Sequence, residues 1–320
     1  MSPSSFAIRL FGKFSFLQND HELGLLQSAK AKELFCYLLL FRDQPHSREI
    51  LASLLWGDCT TAQSKKHFRQ TLWQLQQAFY DLSPAGAIRP LRVEGEYLRL
   101  AADVDPCLDV AVFEKAFASV RGLAGEQISN QEAQALKHAV SLYRGDVLEG
   151  WFQDWCIFHR ERLQSCYLAM LDKLMAYSEA HHEYESGISF GERLLQKDNA
   201  RERTYCRLMR LHHFAGDRAG ALRQFHRCVN ALETELGVTP AKRTLELYEQ
   251  IRTDQVTPPV SPLTEVDEPL TPSLPSPAFL PRLKKLRSVL LKLRHTLERN
   301  IQELDQALSA RVTKPRSGRH

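Results

Sequence analysis

Lys65, Lys66, Arg69, Gln70, Trp73 and Gln74 lie close together in the chain, and no carboxylate falls between them. Lysine and arginine neutralise phosphates, and a glutamine carboxamide can pair bidentately with the edge of a base. Those residue types therefore suit nucleic-acid recognition. A solvated helix face has the same composition, so the segment by itself leaves both readings open. The surrounding elements must decide.

Phe68, Leu72, Leu75 and Phe79 recur at steps of four, three and four, which predicts a helix over Thr61–Tyr80 with one face buried. Turning about 100° per residue, Lys66, Gln70, Trp73, Gln74 and Gln77 point away from that face, flanked by Lys65 and Arg69. Upstream, Ser28–Phe41 and Ser47–Trp56 also have helical apolar spacing, each opening on a serine suited to N-capping. Ahead of them, Phe6–Leu17 alternates as a half-buried strand pair would. Behind, Ile88–Leu100 alternates again around a turn at Glu94–Gly95. Strands, three helices and a hairpin form the order of a winged helix over residues 1–104. Its wing would carry Arg89, Arg92 and Arg99 toward flanking phosphates.

FGKFSF, SAKAKELFCYLLLF, SREILASLLWGD, FRQTLWQLQ and GEYLRL, in this order, resemble the Streptomyces antibiotic regulatory protein family. The resemblance spans about Phe6 to Thr253. It implies an OmpR-type winged helix followed by a bacterial transcriptional activator domain of tetratricopeptide-like helix pairs. It further implies a homodimer on direct-repeat promoter DNA and contacts to the sigma factor of RNA polymerase. Family members often carry Arg where this chain has Gln76–Gln77, so the second half of this helix is less basic.

The chain has 320 residues, enough for two domains and a tail, and its 43% hydrophobic content belongs to a globular protein. The longest apolar run, Leu34–Phe41, falls far short of the ~18 residues a membrane helix needs. No secretory pattern opens the chain, so a cytoplasmic protein with no membrane partner is expected. Seven scattered cysteines without a CxxC pair suit reduced thiols. Charge is uneven: 12 basic against 10 acidic residues over 1–104, 19 against 22 over 105–255, and 11 against 6 beyond. Any electrostatic footprint must therefore be local, on one face.

From 105 to 255 the pattern is helical, with segments read at Asp109–Arg121, Asn130–Tyr143, Trp151–His182, Tyr184–Lys197, Arg201–Ala215, Arg218–Leu236 and Ala241–Ile251. Ala221 follows Gly187 by 34 residues, the period of a tetratricopeptide repeat. Trp151 and Trp155 read as core anchors four apart on a helix. Neither His181–His182 nor His212–His213 has the i, i+4 spacing of a two-histidine metal site. Phosphate loops, GxGxxG and HExxH are absent from the sequence, so no cofactor, metal or catalysis is expected.

Residues 256–281 hold eight of the fifteen prolines and read as a linker. Residues 282–320 form a basic amphipathic segment with a leucine seam, suited first to helix pairing, then to DNA, then to a membrane surface. The expected fold is mostly α, an N-terminal α+β winged helix followed by an all-α tetratricopeptide-like domain. The expected function is transcriptional activation. The rival is a protein-interaction scaffold that uses the same helix pairs without reading DNA.

Overall fold

The computed structural model describes residues 6–19, 21–24, 26–82, 90–101, 104 and 107–256. Arg89 and both segments of the expected tail, from residue 257 onward, lie outside the described residues.

The chain begins with a meander, β1 (Phe6–Arg9), β2 (Ser15–Gln18) and β3 (His21–Glu22), paired antiparallel in that order. The third strand is too short and polar to show in the alternation. Ser28 then caps α1 (Ala29–Leu40), its Oγ accepting from Ala31 N at 3.4 Å. Next come β4 (His46–Ser47), α2 (Arg48–Leu55) and α3 (Thr61–Leu82). Finally β5 (Leu91–Glu94) and β6 (Tyr97–Leu100) form the hairpin, and β4 joins it in the order β4-β6-β5. The hairpin turns at Gly95–Glu96, one residue later than the alternation suggests, with Gly95 at φ +60°. That left-handed conformation favours glycine. These elements make a winged helix.

Among the described residues seven α-helices follow: α4 (Asp109–Ser119), α5 (Asn130–Leu142), α6 (Asp154–Ala180), α7 (Tyr184–Lys197), α8 (Glu202–Phe214), α9 (Arg218–Leu236) and α10 (Lys242–Arg252). Gly187 and Gly191 let α7 sit close between its neighbours. A Cβ on Gly191 would lie 2.7 Å from Leu208 Cδ2 and 2.8 Å from Met175 Cε. Trp151 corrects the sequence reading. It precedes α6, which starts at Asp154, yet its ring still meets Trp155 edge-on at 6.2 Å. Arg160 explains why the helix starts late, because its guanidinium holds the carbonyls of Val147, Leu148 and Trp151 outside the helix.

The winged helix and the helical array share one apolar core. It runs from Ile8, Leu10 and Phe35 through Leu75 to Phe113, Leu136 and Leu171. Backbone bonds stitch the same boundary: Gly12 N donates to Asp146 O, Leu148 N to Leu10 O and Glu149 N to Gly12 O. Asp109, buried at the start of α4, accepts from Leu10 N and Phe11 N at 3.0 Å. Burial pushes its carboxyl up to about 6, although the N–H groups of Leu10, Phe11 and Val110 pull the other way. Glu114 of α4 accepts from Arg42, just past α1, and from Arg162 of α6. Burial disfavours its charge, but the two guanidinium groups outweigh that and hold it below the ordinary carboxylate range.

Candidate nucleic-acid interface

The turn between α2 and α3 is fixed by Ser64, which is buried and whose Oγ donates to Trp56 O at 2.9 Å. At the head of α3, Gln63 Oε1 accepts from Thr60 N and Thr60 Oγ1 at 3.2 and 3.0 Å. No acidic residue occupies the first turn, so the positive end of the helix dipole is not offset there. Phe68, Leu72, Leu75 and Phe79 are buried as their spacing requires, with Ser64 and Thr71 on the same face.

The opposite face is open. Lys65, Lys66, His67, Arg69, Gln70 and Trp73 are exposed, Trp73 at 63%. Gln74 and Gln77 are half-buried. Trp73, Gln74 and Gln77 border a groove of about 310 Å³ whose other side is Leu26–Ser28 and Ala31. Gln77 Nε2 donates to Asp81 Oδ1 at 2.7 Å, so its carboxamide already has a partner. The more open, more basic half of α3 is therefore its first three turns.

Lys65 is not isolated. Its Nζ lies 2.9 Å from Glu49 Oε1 on α2. Both side chains are at least half exposed, so the pair contributes little to stability and a phosphate can compete for the lysine. Arg69 Nε donates to Lys65 O at 3.3 Å. On the wing, Arg92 and Arg99 face each other directly across the β5–β6 ladder, both exposed. Leu98 and Leu100 take the buried face of β6. Two guanidinium groups in register repel, an arrangement that an anion lying between them would relieve.

The first turn of α2 joins the wing to α3. Arg48 N donates to Glu96 O at 2.9 Å and its Nη1 to Gly95 O at 3.4 Å, while Glu49 reaches Lys65. Sequence reasoning missed Arg48 and His67. Arg48 had only a visible basic charge at the head of a helix, and its contact with the wing turn is tertiary. His67 stacks on Trp56 with ring centroids 6.1 Å apart, a pairing no periodicity reports.

Elsewhere, among the described residues, no group of three or more His, Cys, Asp or Glu side chains can hold a metal ion. No described helix is long and apolar enough to cross a membrane.

The array begun by α4 and closed by α10 is decisive for comparison with known proteins. Residues 108–252 match the bacterial transcriptional activator domain. The match takes in every helix of the activator domain, from the Asp109 clasp to the last turn of α10. Most of the chain is similar in fold to Mycobacterium tuberculosis EmbR, solved in complex with a low-affinity phosphopeptide. The TM-score is 0.58 at 18% identity, over 80% of this chain and 67% of that one. At that identity the likeness is one of fold. No curated protein sequence matches the chain.

Proposed function

We propose that this chain is a DNA-binding transcriptional regulator of the Streptomyces antibiotic regulatory protein type. In this reading its OmpR-type winged helix places α3 in the major groove of promoter DNA. Lys65, Lys66 and Arg69 contact phosphates, Gln70 reads base edges with Trp73 and Gln74 beside it, and the wing's Arg92 and Arg99 hold the flanking backbone. Arg89 belongs to the same proposal on sequence alone. Two copies bind repeated sites, and the activator domain recruits RNA polymerase through its sigma factor.

One observation carries the reading: the exposed face of the first three turns of α3 carries no carboxylate of the helix and is tied through the first turn of α2 to a wing whose two arginines oppose each other. The activator-domain match in the same chain supports it.

The test is a promoter-binding titration across salt, on sites with one and with two repeats. Affinity should fall steeply between ~50 and ~200 mM salt and be higher for two repeats. Lys66→Ala should weaken binding to all sequences and lower the salt slope by about one, whereas Gln70→Ala should alter sequence preference by about 1–3 kcal/mol. Wild-type behaviour of both variants would remove α3 as the reading helix. Salt-insensitive binding to a peptide, with none to DNA, would point instead to the scaffold.

A further inference from the structure

The start of α6 leaves large apolar side chains in water. Phe152 is 86% exposed, Phe158 66% and Ile157 43%. Together they offer about 400 Å² of apolar surface, taking ~200 Å² for each fully exposed side chain. Contiguous apolar patches of a few hundred Å² on a folded chain are often functional. The three are neighbours for a local reason. Gln153 is the N-cap, so Phe152 and Ile157 occupy the positions before the cap and four after it, where two apolar residues ordinarily meet. Phe158 is next in the helix. The ground beneath is rigid and aromatic: Trp155 meets Tyr37 of α1 edge-on at 5.4 Å and Trp151 at 6.2 Å. Asp154 lies one turn before Ile157 and Phe158, and Glu161 one turn after. Both carboxylates are exposed, and neither has an ion-pair partner among the described residues. The nearby cations of α6 are engaged elsewhere, Arg160 on the carbonyls of Val147, Leu148 and Trp151 and Arg162 on Glu114.

We infer that this patch docks one amphipathic helix of a partner protein, its apolar stripe flanked by lysine or arginine. Area argues against a second copy of the chain. A lasting homodimer buries at least about 1,000 Å² per copy, about 65% of it apolar, which exceeds the patch. A twofold contact would also bring Asp154 and Glu161 of two copies together, where like charges repel. A single helix needs less, because anchors at i, i+3, i+4 and i+7 form a short apolar strip. Its basic flanks would meet Asp154 and Glu161 at the two ends of the patch. The same carboxylates disfavour an anionic membrane surface. The inference uses neither α3 nor the wing, so it stands independently of the DNA-binding reading.

The experiment uses the full chain and, as probe, a synthetic helical peptide of about 18 residues with leucines at helical spacing and lysines elsewhere. Two comparison peptides have the same length. One replaces every lysine with glutamate, and the other scrambles the leucines out of register. Binding is read by calorimetry, fold by thermal melting and mass by sedimentation. The lysine peptide should bind, and neither comparison peptide should bind measurably. Phe152→Ser combined with Phe158→Ser, both on the surface, should leave the melting temperature unchanged and weaken the probe at least ~10-fold. Asp154→Asn with Glu161→Gln should weaken it ~3-fold at low salt and remove most of its salt dependence. Several results would overturn the inference. One is no binding to the full chain, which includes the case of its own basic tail already lying on the patch. Others are equal binding of either comparison peptide, or binding that survives the phenylalanine double variant. The last is a wild-type dimer in sedimentation that this variant converts to monomer, which would assign the patch to a second copy.

Discussion

Asp109 shows how one side chain can secure a domain seam. Its carboxylate takes the N–H groups of Leu10 and Phe11, which follow β1 and would otherwise be buried with no strand partner. Asp109→Ala leaves three buried donors, the N–H groups of Leu10, Phe11 and Val110, unsatisfied and should destabilise the fold by about 2–5 kcal/mol, measured by urea unfolding. The pH dependence has a definite sign. Burial raises the folded carboxyl to about 6 from an ordinary 3.8, so its protonation favours the folded state. That stability is fully present below the ordinary value and lost as pH rises through 6, at most about 3 kcal/mol. The gap between wild type and Asp109→Ala should therefore be widest near pH 4 and narrow toward pH 7. A gap that widens with pH would mean the backbone donors dominate over burial.

Among elements, the wing carries the clearest conflict between stability and binding. Leu98 and Leu100 fasten β6 to the core, while Arg92 and Arg99 repel each other across the outer face. Arg99→Thr should leave the fold intact and raise its stability by up to ~0.5 kcal/mol, because threonine suits a strand and one like charge is gone. The same change should weaken promoter binding and lower its salt slope. Thermal melts and a salt-resolved titration give both numbers. If stability drops and binding is unchanged, the arginine pair has a structural role and no anion sits there. The opening of α3 uses a different device, in which Ser64 and the Thr60–Gln63 bonds fix where the helix starts. That start sets which residues the helix presents.

At the scale of the molecule, the winged helix and the activator domain behave as one folded body. Phe11 packs on Phe113 and Tyr143 with ring centroids 4.9 and 4.8 Å apart, and the Arg42–Glu114–Arg162 triad closes the same seam. Cutting after residue 104 removes all of these partners. Residues 1–104 alone should melt at least ~10 °C below residues 1–256, or without a cooperative transition, since a few kcal/mol moves a small domain that far. An equal melting temperature would show that the seam is superficial and that the DNA-binding module stands by itself. Such rigidity would hold α3 at a fixed angle to whatever the activator domain engages.

Much of this was legible in the amino-acid sequence because helices and wing strands report themselves through local periodicity. Tyr184–Lys197 and Arg218–Leu236 match the observed helices residue for residue. The buried and outward faces of α3 follow directly from the spacing of Phe68, Leu72, Leu75 and Phe79. Short elements were not legible: β3 and β4 have two residues each, too few to show a period. Nor were the pairings made across the fold, which depend on residues distant in the chain. Glu49 on Lys65, Arg48 on the wing turn and Asp109 on Leu10 join segments that no local pattern relates. Periodicity is a property of neighbours along the chain, so it determined which face of each helix is polar. Only the tertiary structure decided which of those polar groups are already paired, and that two modules distinct in pattern share one core.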